Sequence, residues 1–215
     1  MTDDLRRCDW CKSDTLLQEY HDKEWGVPQH DDGVLFQHLL MESMSCGLSW
    51  LLMLRKRAAF ARCFHRFDYR RIARYDDDDV KRIMGDAEMI HSEPKVRAVI
   101  NNAVRFLEIV EQFGSFDSYL WAFTGGKTLV YQRFPEKRLT TSALSDALSK
   151  DLKRRGFKFV GSVSLYAFLE ACGLINDHHP DCFRRRETLK MNDTLRVSDE
   201  NAILPTFPQA SRIKR

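Results

Sequence analysis

Two groups of residues in this 215-residue chain have types and spacings that could do chemistry. The first is the run from Met41 to Trp50. Leu35, Leu39, Glu42 and Cys46 recur at helical intervals, so they share one stripe of a helix. Three members of the stripe are apolar or nearly so. The fourth is a carboxylate, which is costly to bury unless something pairs with it. Gly47 offers a stop for that helix, Ser49 a cap for the next one, and Trp50 the first large ring on it. A carboxylate directed into an apolar pocket beside a tryptophan suits the gripping of a flat, electron-poor ligand. The alternative is a glutamate at the edge of the core, paired with one of the many arginines.

The second group is metal-like. Cys8 and Cys11 form a CxxC, His21 follows, and His178-His179-Pro180-Asp181-Cys182 stands far downstream. A pair from each end converging on one zinc would be a closed, structural site with no place for an activated water. Spacing leaves the ligands open. Cys8 with Cys11 is a local knuckle, Cys8 with His21 closes a longer loop, and core thiols with surface imidazoles need no metal at all. Cys46, Cys63 and Cys172 sit on apolar stripes and read as core. Six cysteines in a chain of this length do not make a disulfide framework.

The elements that must position these residues are helices. Residues 1–31 read as an irregular arm crowded with Trp10, Tyr20 and Trp25. One helix is expected from Asp31-Asp32 to about Cys46, and a second from Ser49 through Phe64. Short helices are expected at 69–75 and 77–85, the latter led by the acid run Asp76 to Asp79, which complements the helix dipole. Pro94 opens a long helix, Lys95 to Phe113, and Gly114 closes it. An aromatic helix after Ser115, an extended piece over 128–134, and helices near 142–155 and 162–172 complete the body. Roughly seven or eight helices with almost no strand predict an all-α fold. Residues 1–183 form the domain in this reading, and 184–215 a mobile basic tail.

Charge narrows the partners. The last 32 residues carry a net +4, while the other 183 hold 26 basic and 27 acidic side chains. Bulk charge therefore does not announce nucleic acid, and any such binding needs a local basic face. No apolar run approaches a membrane span and the first residues lack a signal-peptide core, which predicts a cytoplasmic protein with no membrane partner.

Taken in order, several motifs resemble one family. They include Arg7-Cys8-x-Trp10, Tyr20-His21-Asp22-x-Glu24-Trp25-Gly26-Val27-Pro28 and Gly47-Leu48-Ser49-Trp50. Further along come Cys63-Phe64, Ser145 to Lys150, Lys153 to Gly161, and Ala171 to His178. From about residue 6 to 182 the chain is similar to the 3-methyladenine DNA glycosylase I family. The resemblance implies an all-helical fold related to the helix-hairpin-helix glycosylases, with a structural zinc joining the termini through Cys8, His21, His178 and Cys182. Cys11 and His179 have no counterpart, although Cys11 remains a rival by its CxxC spacing. The resemblance also implies that Glu42 and Tyr20 bond the methylated adenine, that Trp50 stacks on it, and that Trp25 and Trp10 wall the pocket.

The implied reaction hydrolyses the N-glycosidic bond of 3-methyladenine in alkylated double-stranded DNA. With no candidate Schiff-base lysine in the matched pocket, a monofunctional enzyme is expected, acting as a monomer and leaving an abasic site. Alkylation at N3 puts positive charge on adenine, so a buried carboxylate and an electron-rich ring supply the grip, the ring about 0.5–2 kcal/mol.

This chain departs from the family pattern at Ser43, Ser45 and Cys46, which with Met44 bear on base preference. Another departure is His91-Ser92-Glu93-Pro94, in the hairpin expected to hold DNA phosphate, where Glu93 opposes an anion. Lys95, Arg97 and Lys158 are the candidate DNA contacts, with Lys153, Arg154 and Arg155 nearby. These departures favour an alternative, a glycosylase-like protein that binds alkylated base or lesion DNA without turnover. A blander reading is a zinc-stapled helical interaction module, against which Tyr20, Trp25 and Trp50 argue.

Overall fold

The computed structural model describes residues 5–131 and 138–198. The chain is mostly helical, with eleven α-helices and two short strands among those residues. Side-chain caps set most helix starts. Asp31 accepts from the Val34 amide to open α2 (Asp32–Ser45), and Ser49 accepts from the Leu52 amide to open α3 (Trp50–Arg55). Asp76 and Asp79 close a reciprocal capping box on α6 (Asp77–Met84), the role expected of the acid run.

The spine is α7 (Glu93–Phe113), with Val96, Val99, Ala103, Phe106 and Ile109 buried along one stripe. Around it pack α2, α5 (Tyr69–Ile72), α6 and α8 (Phe116–Trp121). Phe106 anchors this junction, stacked on Phe116 at 4.2 Å and edge-on to Phe36 at 5.1 Å. A second layer pairs α9 (Ala143–Arg154) with α10 (Ser162–Ala171), and α10 also packs on α2. Asn102 of α7 bonds both the carbonyl and the amide of Lys158, so the α9–α10 connection is braced from the spine.

Three expectations change. The arm at 1–31 holds a helix, α1 (Thr15–Lys23), started by Asp14 accepting from the Leu16 amide. Its short, weakly apolar stripe gives little periodic signal. The helix expected from Ser49 to Phe64 is two, α3 and α4 (Arg57–Cys63), because Lys56 leaves helical geometry at ψ 1°.

The boundary at 184 is also corrected. Residues 183–198 fold back onto the body as α11 (Phe183–Thr188) and β2 (Thr194–Val197). β2 runs parallel to β1 (Thr128–Tyr131), in register from Thr128 opposite Thr194 to Tyr131 opposite Val197. Arg184, Thr188 and Val197 are buried, and Asn176 donates to the Thr188 hydroxyl at 2.8 Å. No apolar helix signalled this, because the return is held by backbone pairing and single polar contacts. The rest of the expected tail, 199–215, and residues 132–134 of the extended piece lie outside the described residues.

The two ends of the body are joined. The Phe183 amide donates to the Arg6 carbonyl at 3.0 Å, and the Gln29 amide to the Cys172 carbonyl at 3.0 Å. Between these bonds Gly173 has φ +75°, and a Cβ there would meet the Val27–Pro28 backbone at 2.5–2.7 Å. Only glycine allows that approach. Gly173→Ala is therefore expected to cost on the order of 3 kcal/mol, read as a lowered midpoint in urea unfolding.

Candidate functional site

A cavity of about 240 Å3 opens between the arm and the helical body. Glu42 enters it from α2, Trp50 from the start of α3, Tyr20 from α1, and Trp10 and Trp25 from the arm. All five residues expected at the pocket are brought together. The Tyr20 and Trp50 rings lie 5.5 Å apart, and Trp10 meets Trp25 edge-on at 5.1 Å. The buried indole N–H groups of Trp10 and Trp50 have no hydrogen-bond partner among the described residues. Buried donors without partners are uncommon in folded proteins, and both of these tryptophans line the cavity.

Glu42 is 6% exposed and makes no ion pair among the described residues, so the arginine-paired alternative does not apply. Among the described residues its carboxylate accepts only from the Ser45 hydroxyl, at 3.3 Å. Burial pushes its pKa up to about 8; Ser45 opposes this, and the nearby Glu170 carboxyl adds to it. A cation arriving in the cavity would reverse this balance and draw the carboxyl into its charged form.

Glu170 and Arg138 also line the cavity, and the sequence reading missed both. Glu170 sits on α10 among Leu165, Phe168, Leu169 and Ala171, and is 2% exposed. A carboxylate on an apolar helix is the same signal that singled out Glu42. Arg138 lies in a stretch without periodicity and gave none. Its guanidinium donates to Glu170 at 2.9 Å and stands 5.8 and 5.7 Å from the ring centres of Trp10 and Trp25.

The divergent segment after Glu42 divides. Ser43 turns its hydroxyl back to the Leu39 and Leu40 carbonyls, away from the cavity lining. Ser45 lines the cavity and touches Glu42, and the Cys46 thiol lies 3.5 Å from the Ser164 hydroxyl.

Behind the indoles, Cys8, His21, His178 and Cys182 converge, all buried, their donor atoms within 4.8 Å of one another. Cys182 Sγ lies 3.4 Å from His21 Nε2 and 3.6 Å from His178 Nδ1, and Cys8 Sγ 3.7 Å from His178 Nδ1. Cys11 is outside the group, its thiol donating to the Cys8 carbonyl at 3.1 Å. Asp22 holds His21 Nδ1 at 2.7 Å and is itself gripped by Arg7. The cluster and the pocket share a wall: Trp25 packs edge-on to His178 at 4.4 Å.

The three cationic candidates do not share a fate. Lys95 donates to the Met44 and Cys46 carbonyls at 2.9 and 2.6 Å, which closes the end of α2. Arg97 bonds Asp77 and Glu93, each at 2.7 Å. The local carboxylates thus consume that guanidinium, and Glu93 is paired rather than left to face an anion. Lys158 makes no ion pair among the described residues and is exposed on the α9–α10 connection beside Phe159.

A mostly helical protein whose carboxylates and indoles enclose a small cavity is built to take a flat heterocycle, one carrying positive charge above all. Residues 10–185 match the family model described as methyladenine glycosylase. DNA-3-methyladenine glycosylase 1 of Escherichia coli (strain K12) is 41% identical over 179 residues, 83% of this chain and 96% of that protein. The DNA-3-methyladenine glycosylase of Haemophilus influenzae is 36% identical over 82% of this chain and 96% of its own length. A solved structure of 3-methyladenine DNA glycosylase I from Staphylococcus aureus, described for its recognition of 3-methyladenine, superposes with a TM-score of 0.79 at 35% identity, covering 84% of this chain and 97% of that one. The chain belongs to the methyladenine glycosylase family.

The raised pKa of Glu42 carries a stability consequence. Its value rises from 4.5 unfolded to about 8 folded, so between these limits the native state holds a proton that the unfolded state lacks. Stability from this group is full below the lower value and is lost as pH rises to the upper one. Glu42→Gln is expected to gain on the parent by roughly 4 kcal/mol as pH rises from about 5 to about 8, measured by denaturant unfolding at each pH.

Proposed function

We propose that the protein removes 3-methyladenine from alkylated double-stranded DNA as a monofunctional glycosylase. The observation that carries the reading is the cavity itself: a buried carboxylate at Glu42, without an ion pair among the described residues, lining the same cavity as the Tyr20 and Trp50 rings. The damaged nucleotide is flipped out of the duplex into this cavity. Glu42 ionises against the cationic base and accepts from its donor edge, Tyr20 offers its hydroxyl, and Trp50 stacks on the purine face. The glycosidic bond breaks with its electrons going to the base, which leaves as a neutral leaving group. Water adds at the anomeric carbon and gives up a proton, leaving an abasic site.

No lysine lines the cavity among the described residues, which supports hydrolysis without an imine or strand cutting. Lys158 and the exposed ends of the α9–α10 hairpin are the phosphate-facing surface in this reading, rather than Lys95 and Arg97. The protein works on DNA as a monomer in the cytoplasm. No described helix is long and apolar enough to cross a membrane.

Incubation with methylated duplex DNA is expected to release free 3-methyladenine, identified by chromatography, with the strand left uncut. Trp50→Ala or Glu42→Gln is expected to lower the rate by about 100-fold, the scale of losing one preorganised group. Retained lesion binding with no base released would instead establish the turnover-free alternative.

A structural zinc held by Cys8, His21, His178 and Cys182 is part of the proposal. The donor set suits that ion, and donor separations of 3.4–3.7 Å match the edges of a tetrahedron with bonds of about 2.0–2.3 Å. Cys182 is favoured as thiolate by the Cys8 thiol and by the imidazoles of His178 and His21. Asp22 orients His21, as outer-shell carboxylates do for metal-bound histidines. The ion would fasten the arm to the far end of the domain and take no part in bond cleavage. Elemental analysis of the purified protein is expected to find one zinc per chain, and Cys182→Ala to lose it and unfold at lower temperature. Cys11→Ala is expected to keep it.

A further inference from the structure

Arg138 sits awkwardly in a pocket for a cation. Among the described residues it is the only basic side chain lining the cavity, and a guanidinium stays charged at any working pH. It lies within cation–π range of both Trp10 and Trp25 and closes the indole wall from outside, with half its side chain exposed. A positive charge there opposes a cationic base unless it is neutralised. Among the described residues its guanidinium makes one hydrogen bond, to Glu170, 2.9 Å away, at a carboxylate 2% exposed. The other groups acting on this pair are Glu42 on the cavity side, and Asp177 and Tyr166 behind it.

We propose that Glu170 is a specificity-determining residue whose carboxylate offsets the Arg138 guanidinium, so that Arg138 can wall the pocket without repelling a positively charged base. The inference rests on the reading of the cavity as a site for a cationic base. Glu170 thereby contributes to the choice of charge alongside Glu42, while the rings contribute to the choice of shape. Burial, with Asp177 adding to it, pushes Glu170 up to about 8 against the pull of Arg138; a bound cation acts in the same direction as Arg138 and draws the carboxyl back toward its ionised form.

The test uses two ligands of similar outline, the cationic 3,9-dimethyladeninium and the neutral 9-methyladenine. Affinities are read from tryptophan fluorescence at pH of about 8.5, above the Glu170 value. Glu170→Gln is expected to weaken the cation about ten- to fifty-fold, the scale of one unit charge at pocket range, and to change the neutral ligand less than about threefold. Adding Arg138→Gln to that variant is expected to restore most of the loss. Equal weakening of both ligands, no weakening of the cation, or no restoration in the double variant would each overturn the proposal. A parent protein that does not prefer the cation would overturn it as well. Base release from methylated DNA by the parent is measured in parallel. Its failure would count against the proposed reaction alone, since the charge preference is read from binding.

Discussion

The closure of the N-terminal arm onto the far end of the domain is the constraint from which the rest of the site follows. Three of the six aromatic or acidic groups at the cavity, Trp10, Tyr20 and Trp25, come from the arm. The arm has little apolar core of its own and depends on contacts made more than a hundred residues away. Gly173 against Val27 and Pro28, Phe183 against Arg6, and the convergence of Cys8 and His21 with His178 and Cys182 supply those contacts. Trp10, Tyr20, Trp25 and Leu54 then share a small second core with Cys8, Cys182 and Ala171. In the proposed holoprotein a zinc would tighten the same seam. A short loop closed by a CxxC could not do so, because it would fasten the arm only to itself.

The helical body supplies the opposite wall, and there the physics is electrostatic. Glu42 and Glu170 come from α2 and α10, two helices packed on each other, and each is almost fully removed from water. Two buried carboxyls and one guanidinium are a costly arrangement in an empty pocket. That cost falls when a cation enters, since the carboxyls then ionise against it. A site destabilised when empty is thereby biased toward charged ligands, and a neutral base of the same outline gains less. Stacking surfaces alone would not make that distinction.

Charge elsewhere is local. Arg97 is held by Asp77 and Glu93, and Lys95 closes the end of the helix that carries Glu42. Lys95 therefore helps position the segment that carries Glu42 and Ser45. Tying up these cations leaves the α9–α10 connection, braced by Asn102, as the better placed basic edge.

Much of this was legible in the sequence. Periodicity and capping residues predicted most of the helices, because an amphipathic stripe and its cap are local properties. Glu42 stood out as a charge on an apolar stripe, and the order of motifs indicated the family and its pocket residues. Lys56, where one expected helix becomes two, carried no local signal, and neither did the return of residues 183–198 beside β1. By spacing, Cys11 and His21 were both open as the second ligand beside Cys8; the family resemblance pointed to His21, and the fold turns the Cys11 thiol toward a backbone carbonyl instead. Glu170 could have been flagged by the rule that found Glu42, but its pairing with Arg138 could not. Local periodicity and capping were enough to mark most of the helices and the side chains that are costly to bury. Tertiary structure decided which buried charges meet, since that depends on contacts between segments far apart in the chain.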